Sequence, residues 1–310
     1  MLSFDLVTVG HFSIDYVTYK AERKPRLKPT LGGPPTFVSL AAKKMGVEVS
    51  VISKVGGDFP NEYYTWLINE GVDLSMLRRD KNAFTTSYML IYDSKGERQL
   101  ILNARAPAIK PAEIPDSLSS EVIHVSPIAG EVSYKVMKRL RRHSRLLSLD
   151  PQGFLRKFDK DGKVHLGKLD NPKIFEEVDI FKASKSEIEA ATGESDLIQA
   201  IRQIHSLGVR IVIVTRGSRS AILSLNEKLY EIPTAKSKVV VDTTGAGDVF
   251  IGAFLAEYVK GEDPVWSSCV GSASASYVIE EAGPRGFKSQ SEVYERATQI
   301  YEKASLWTSI

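Results

Sequence analysis

Residues 239–248 read Val-Val-Val-Asp-Thr-Thr-Gly-Ala-Gly-Asp, and residues 249–255 continue as Val-Phe-Ile-Gly-Ala-Phe-Leu. A β-branched run thus enters a loop of small residues, and a helical sequence starts at once. Backbone N–H groups at the start of a helix lack intrahelical acceptors and converge on one spot, where the helix dipole also favours negative charge. The stretch therefore predicts an anion-binding site at residues 245–248.

Two other phosphate-binding motifs can be tested against the same sequence. The P-loop needs Gly-x4-Gly-Lys-Ser/Thr, and that string does not occur in the chain. The dinucleotide fingerprint would need glycine at position 250, which is Phe250. Both motifs are excluded.

Asp248 suggests chemistry beyond anion binding. A carboxylate in the first turn of a helix, beside an anion site, can accept a proton from a substrate hydroxyl while the phosphoryl group rests on backbone N–H groups. An acidic residue at this position also simply complements the helix dipole. The local sequence leaves both interpretations open.

Working outward, short β-rich runs alternate with helical patterns along most of the chain. The strand-like runs cover residues 4–10, 47–52, 122–126, 146–150, 180–184 and 210–215. The helical patterns cover residues 35–45, 61–69, 132–142 and 197–207. Near-continuous apolar strands separated by helices indicate a mostly parallel sheet covered on both faces. We therefore expect an α/β sandwich, with residues 1–310 forming a single domain.

Two regions break this alternation. Residues 87–91 and 99–103 are strand-like and flank a turn-forming stretch at 93–97, and together with 12–19 they predict a small separate sheet. A second hairpin is expected around residues 160–163.

Composition narrows the function classes. The chain has 41 basic and 38 acidic residues, a net charge of +3, so charge gives no argument for nucleic acid as a partner. It contains no run of about eighteen apolar residues, and its start lacks the basic region of a signal peptide. The single cysteine excludes an internal disulfide. We expect a cytoplasmic protein without nucleic-acid or membrane partners.

The string Asp-Thr-Thr-Gly-Ala-Gly-Asp at 242–248 resembles the signature of the ribokinase-like (PfkB) carbohydrate kinase family. Similar segments follow the family's order over nearly the whole chain: 10–15, 31–34, 41–46 and 55–58. The resemblance implies a three-layer α/β/α sandwich with a mostly parallel central sheet. It also implies a small β lid formed by parts of 12–30 and 84–106, and phosphoryl transfer from Mg-ATP to a hydroxyl.

The resemblance also implies roles for individual residues. Asp248 would be the general base, and the anion hole would consist of Gly245, Ala246 and Gly247. The acceptor would be held by Asp15, Gly32 and Gly33. The residues implied on the nucleotide side are Thr215, Gly217, Ser184, Glu187 and Ser272, with Glu187 acting through water on magnesium and Ser272 lying in the adenine segment 271–276.

The chain departs from the family pattern at two places. Ser184 stands where the family's Asn-x-x-Glu motif has asparagine, and Ser220 stands where a second glycine follows Thr215-Arg216-Gly217. These changes affect details of magnesium and phosphate binding. Some relatives bind a monovalent cation beside the loop containing Asp242 and Thr244, and lid edges in the family often pair into a homodimer. Both features are open for this chain.

The acceptor is suggested by residues 150–156, Asp-Pro-Gln-Gly-Phe-Leu-Arg, which follow a strand at the expected ligand edge of the sheet. Gln152 and Arg156 are similar to a Gln-Gly-x-x-Arg segment of the inositol-kinase-like branch, where both face cyclitol hydroxyls. Alternatively, Asp150 and Gln152 cap a turn and Arg156 lies on the surface. Asn103 and Arg105 are further candidates.

Three functions follow. The first is ATP-dependent phosphorylation of a sugar or cyclitol, with myo-inositol as the best single guess. The second is a nucleoside kinase, because Phe12, Tyr16 and Tyr88 could stack on a base. The third is a non-catalytic regulator that binds a ligand in the same pocket.

Overall fold

The computed structural model describes residues 2–19, 29–92, 98–226 and 228–307. The strands are β1 (Leu2–Val9), β2 (Ser13–Tyr19), β3 (Pro29–Gly32), β4 (Val49–Gly56), β5 (Leu77–Asp80), β6 (Ser87–Tyr92), β7 (Arg98–Ala104), β8 (Leu118–Val125), β9 (Ser144–Leu149), β10 (Arg156–Phe158), β11 (Val164–Leu166), β12 (Ile180–Ser184), β13 (Ile211–Arg216), β14 (Arg219–Leu225), β15 (Lys228–Ile232) and β16 (Ser305–Leu306). The helices are α1 (Pro34–Lys44), α2 (Asn61–Asn69), α3 (Tyr134–Arg141), α4 (Gln152–Leu155), α5 (Lys185–Thr192), α6 (Leu197–Ser206), α7 (Ala246–Val259), α8 (Pro264–Val278) and α9 (Gln290–Tyr301).

The main sheet has ten strands in the order β16-β15-β14-β13-β12-β9-β8-β1-β4-β5. The run from β13 to β5 is parallel, and β14, β15 and β16 are added antiparallel. The central strands are apolar and buried on both faces, as parallel strands between helical layers require. The predicted mostly parallel sheet is therefore confirmed.

Helices cover both faces of this sheet. One apolar core joins it to α1, α7, α8 and α9 through residues such as Phe37, Phe254 and Val270. The other core joins it to α3, α5 and α6 through residues such as Met137 and Ile204. The result is the expected α/β/α sandwich. Among the described residues, no helix combines the length and the apolar character needed to cross a membrane.

A second sheet has four strands in the order β3-β2-β6-β7. Tyr88 and Leu90 on its inner face pack against Ile128 and Ala129, which follow β8 of the main sheet. The predicted turn at 93–97 lies outside the described residues, as do residues 20–28 of the predicted lid. The small sheet thus lies over the carboxyl ends of the main strands.

The hairpin expected near residues 160–163 is formed by β10 and β11. Gly162 adopts a φ of 77°, and its carbonyl accepts a hydrogen bond of 2.8 Å from the N–H of Leu102 on β7. A left-handed conformation of this kind favours glycine. The hairpin therefore contacts the edge of the second sheet.

The valine run before the anion-binding loop does not form a strand. Val239, Val240 and Val241 are all exposed, Val240 to 62%, and the Val241 N–H donates to the carbonyl of Ile279 at the end of α8 (2.8 Å). The hydrogen-bond partner of this segment is a helix end, and no strand among the described residues pairs with it. β-branched composition alone does not make a strand.

Candidate active site

A cavity of about 860 Å³ opens at the carboxyl ends of the central strands, beneath the second sheet. In a parallel α/β sheet this edge is where ligands bind. Most residues singled out from the sequence line it: Asp15, Gly33, Gln152, Arg156, Ser184, Glu187, Thr215, Gly217, Gly245, Ala246, Gly247, Asp248 and Ser272. Residues as far apart in the sequence as Asp15 and Ser272 therefore face one space.

The anion-binding loop is built at the start of α7. Gly245 caps the helix with a φ of 78°, and a Cβ at this position would overlap with the ring of Phe37 on α1. Glycine is therefore required twice, by conformation and by space. The Ala246 N–H donates to the carbonyl of Thr243 at 3.3 Å. Because that bond is long, an incoming anion can compete for this N–H.

Asp248 lies in the first turn of α7, half-buried on the cavity wall. Its Oδ1 accepts a hydrogen bond of 3.3 Å from Nε2 of Gln152. Burial, together with the charges of Asp150 and Glu187, raises the pKa of Asp248 to about 7, against the opposing effects of Lys182 and Arg156. A carboxyl with such a pKa can take up a proton near neutral pH, as a general base must.

Lys182 is the important residue to which the sequence assigned no role. Its Nζ donates to Oδ2 of Asp150 at 2.6 Å, and the two side chains are 5% and 0% exposed. The ammonium lies against the anion-binding loop, because a Cβ on Gly247 would be 2.6 Å from it. A lysine inside the apolar run 180–184 was the available signal, since buried lysines need a partner charge.

One end of the cavity is formed by the start of β2 and by the β3–α1 connection. Asp15 accepts a hydrogen bond of 2.7 Å from Oγ of Ser13, and its carboxylate packs directly on Gly32, where a Cβ would overlap with it. Gly33 follows with a φ of 84° and backbone of His11 against it. Gly32 thus shapes the site through Asp15 without lining the cavity.

Gln152 and Arg156 form a chain that ends on the proposed base. Arg156 Nη2 donates to Gln152 Oε1 at 2.7 Å, and Gln152 in turn donates to Asp248. Arg156 Nη1 and the Tyr88 hydroxyl both donate to the carbonyl of Ile128, at 3.3 and 2.6 Å. The alternative of a surface Arg156 is wrong, because this side chain is half-buried and lines the cavity.

The turn-capping interpretation is also correct for Asp150. Its Oδ1 accepts the backbone N–H of Gln152 at 3.3 Å, so one carboxylate starts the short helix α4 and also pairs with Lys182. The cap and the ion pair therefore use different oxygens of Asp150.

On the nucleotide side, Glu187 and Ser184 form a reciprocal cap at the start of α5. Glu187 Oε2 accepts the Ser184 N–H at 2.7 Å, and Ser184 Oγ accepts the Glu187 N–H at 3.3 Å. No group of three or more His, Cys, Asp or Glu side chains converges on one point among the described residues. Glu187, which lines the cavity, could hold magnesium through water, because Mg²⁺ usually keeps several waters and is bound by one or two carboxylates.

The far end of the cavity has small side chains. Ser272, Ala275 and Ser276 of α8 line it together with Ile279, and Ser272 Oγ donates to the carbonyl of Pro233 at 2.9 Å. Gly217, with a φ of 64°, has no atom within 4 Å of where a Cβ would lie. This end has the room that a flat base requires.

Besides Gly32, four residues singled out from the sequence as ligand contacts do not line the cavity: Asn103, Arg105, Phe12 and Tyr16. Arg105 is exposed, and its guanidinium lies 4.7 Å from the centroid of the Phe158 ring. Asn103 is exposed because a bulge leaves it between the pairs Ser87–Ala104 and Tyr88–Leu102, on the face opposite Leu102. Phe12 is fully buried in a core cluster, 5.8 Å from the ring of Phe59. Tyr16 follows Asp15 and so points to the other face of β2.

Comparison with known proteins agrees with this arrangement. The model of the pfkB family of carbohydrate kinases matches residues 3–290. A nucleoside kinase of Methanocaldococcus jannaschii is 28% identical over 90% of this chain and 91% of its own, and a cytidine kinase of Thermococcus kodakarensis is 29% identical over 83% and 89%. A solved pyrophosphate-dependent kinase of the ribokinase family has a TM-score of 0.79 at 25% identity, covering 90% of this chain and 96% of that one.

Proposed function

The chain belongs to the pfkB family of carbohydrate kinases, as its motifs indicated, and is a phosphotransferase with a hydroxyl acceptor. From this premise we propose that it transfers the terminal phosphoryl group of ATP to a ring with several hydroxyls, a cyclitol or sugar, with myo-inositol the first compound to test. Residues 1–310 act as one kinase domain, and the β3-β2-β6-β7 sheet serves as its lid.

One observation carries this proposal: the chain from Arg156 through Gln152 to Asp248. A hydroxyl-rich ring needs donors and acceptors on several sides, and here an amide and a planar guanidinium lie next to the base. Arginine presents its donors in a rigid fork, which suits two neighbouring hydroxyls. Asp15, which is 7% exposed, provides an acceptor from the lid side.

The chain's own groups divide the chemistry between them. Asp248 accepts the proton of the attacking hydroxyl, and Gln152 orients the carboxylate through its Nε2. The N–H groups of Gly245, Ala246 and Gly247 stabilise the charge that develops on the phosphoryl oxygens. Magnesium, when bound with the donor, neutralises phosphate charge and is held through water by Glu187.

The proposed donor is ATP, supported by the small side chains at the far end of the cavity. The space lined by Ser272, Ala275 and Ile279 is where the adenine ring of ATP would bind. The pyrophosphate-dependent kinase of similar structure makes pyrophosphate the competing donor. ATP would occupy this far end with its adenine ring, whereas pyrophosphate has no nucleoside and would leave it empty.

The test is a panel of acceptors and donors. ADP release with Mg-ATP is measured for myo-inositol, ribose, fructose, cytidine and inosine, and phosphate release is measured with magnesium pyrophosphate. We expect the largest kcat/KM with myo-inositol and ATP. If none of the acceptors is phosphorylated, the result would contradict the proposed activity and favour a ligand-binding regulator. If turnover occurs with pyrophosphate but not with ATP, the proposal of ATP as donor is wrong.

A nucleoside acceptor is the second candidate, favoured by the nucleoside and cytidine kinases among the relatives. The cavity wall of Tyr88, Leu90, Leu100 and Ile128 is apolar enough to contact a base. Arg156→Lys separates the candidates, because it keeps the charge and removes the fork. A drop in kcat/KM for myo-inositol in this variant supports a cyclitol as the acceptor. An unchanged kcat/KM for myo-inositol, together with a higher kcat/KM for cytidine than for myo-inositol, supports a nucleoside as the acceptor.

Four further properties are proposed for the same enzyme. It acts in the cytoplasm, without nucleic-acid or membrane partners. It pairs into a homodimer through the lid. A monovalent cation near Asp242 and Thr244 raises its activity, which a comparison of potassium with tetramethylammonium salts tests at constant ionic strength.

A further inference from the structure

Four charged side chains influence Asp248. Lys182 and Arg156 are cationic, and Asp150 and Glu187 are anionic. Two of them, Lys182 and Asp150, form an ion pair that is almost completely buried. Arg156 is half-buried and bonded to Gln152, and Glu187 is bonded to the N-cap of α5.

A buried ion pair is weak evidence of a stabilising role. Removing two charges from water costs several kcal/mol for each ion, and well-packed apolar residues often do as well or better. A pair of this kind beside a cleft, next to a titratable group, is instead characteristic of functional sites. The position of Asp150–Lys182 therefore calls for an explanation in terms of the site.

The contacts connect both partners to Asp248. Lys182 reaches the first turn of α7 from below, at Gly247, the residue directly before the base. Asp150 binds Lys182 with Oδ2 and the backbone N–H of Gln152 with Oδ1, and the Gln152 side chain donates to Asp248. The cation thus lies beside the base, and its counter-ion anchors the residue that orients the base.

We propose that Asp150 and Lys182 form a positioning pair whose two charges have opposite effects on the proton affinity of Asp248, Lys182 lowering it and Asp150 raising it. Both charges lie close to the base, and because they have opposite sign, their effects on its proton affinity largely cancel. Asp248 is then ionised often enough to act and basic enough to take the hydroxyl proton. The proposal rests on the proposed function only for the use made of that proton.

The test measures the carboxyl directly in the unliganded full-length protein. Asp is labelled at ¹³Cγ, the Asp248 signal is assigned by its loss in Asp248→Asn, and its pH titration is followed by NMR. Asp150→Asn removes the negative charge that opposes Lys182, so we expect the pKa of Asp248 to fall by about one unit, which is tenfold in proton affinity. Lys182→Met leaves Asp150 uncompensated and raises that pKa by a similar amount.

The double variant Asp150→Asn/Lys182→Met removes both charges and should return the titration to within about 0.3 units of the unsubstituted protein, since charge effects of opposite sign cancel. Lys182→Arg, which keeps the charge, is the matched control and leaves the titration in place. Equal titrations in all variants, or shifts of the same sign in both single variants, overturn the proposal.

Folding failure is informative here too. Asp150→Asn keeps the side-chain shape and leaves Lys182 with the neighbouring charges of Asp248 and Glu187, so it should give folded protein by circular dichroism. An unfolded Asp150→Asn protein would assign the pair a structural role and contradict the proposal. If Lys182→Met alone fails to fold, Asp150→Asn and the double variant still supply the required comparison.

Kinetics separate this proposal from the proposed function. The acid limb of kcat/KM for the acceptor should move with the NMR titration, to lower pH in Asp150→Asn and to higher pH in Lys182→Met. If the titrations shift as expected while the acid limb stays in place, the positioning pair is correct and Asp248 is not the base.

Discussion

Two glycine loops of this molecule share a backbone conformation and differ in the charged side chain beside them. The loop before α1 contains Gly32 and Gly33, and the loop before α7 contains Gly245 and Gly247. Each caps its helix with a glycine of φ near 80°, 84° at Gly33 and 78° at Gly245. The two helices pack against each other, with Phe37 of α1 lying on Gly245.

The loops differ in the charge that lies against them. Gly32 lies under the carboxylate of Asp15, whereas Gly247 lies over the ammonium of Lys182. A loop beside an anion suits the donors of a hydroxyl ligand, and a loop beside a cation suits phosphate. Under the proposed function, a side chain from another element therefore decides which ligand each glycine loop binds.

The largest effect is expected from Asp248→Asn, which removes the proposed base next to the glycine loop at 245–247. Asp248→Asn keeps the shape but cannot take a proton, so kcat should fall by roughly 10²–10⁴. Calorimetric titration with donor and acceptor should show affinities within a few-fold of the unsubstituted enzyme. Asp161→Asn, in the exposed turn of the β10–β11 hairpin, is the control; a loss of kcat below tenfold in Asp248→Asn would remove Asp248 from the mechanism.

A pair of glycine substitutions tests the contrast between the loops themselves. In Gly32→Ala the new methyl group displaces Asp15, and in Gly247→Ala it displaces Lys182. Removing a hydrogen bond to a charged group costs about 1.5–3 kcal/mol, roughly 10–100-fold in affinity. We expect KM to rise for the acceptor alone in the first variant and for the donor alone in the second. Equal changes for both substrates in either variant would show that the loops are not separate subsites.

The pH dependence gives a smaller, graded effect. The pKa of Asp248 is raised to about 7, and a base acts only when deprotonated. The kcat/KM for the acceptor should therefore fall about tenfold per pH unit below this value and level off above it. An acid limb near pH 4, the ordinary range of an exposed aspartate, would mean that burial does not control the base.

The smallest effect is expected at a position that only the sequence associated with the acceptor. Asn103 is exposed beside its bulge, so Asn103→Ala should change KM for the acceptor less than about twofold, as ordinary surface substitutions do. Gln152→Ala, which removes the amide on Asp248, is the matched comparison and should change it more. A large effect of Asn103→Ala would indicate that the lid moves this side chain inward when substrate binds.

Local patterns predicted much of the fold. The elements predicted at 47–52, 61–69, 180–184, 197–207 and 210–215 agree with β4, α2, β12, α6 and β13 to within four residues, whereas α5 was not predicted. The agreement arises because continuous apolar runs and 3.6-residue periodicity report burial directly. The anion-binding loop was predicted for the same reason: a small-residue turn and its helix are neighbours in the chain.

The failures have a common cause in long-range contacts. Asn103 is exposed because the pairing of β6 with β7 contains a bulge at this position. Phe12 is buried because it packs in a core formed by side chains from residues 31–74. In each case the residue type was compatible with the expectation, and the neighbouring element decided otherwise.

The sequence alone predicted an α/β fold and a glycine loop with an adjacent carboxylate, because those features depend on residues close together along the chain; kinase activity was implied by the family resemblance. Tertiary structure alone decided that Lys182 meets Asp150 across 32 positions and that Arg156, through Gln152, reaches Asp248 across 92. Charges act through space over several ångströms, so the electrostatics of the base belong to the fold.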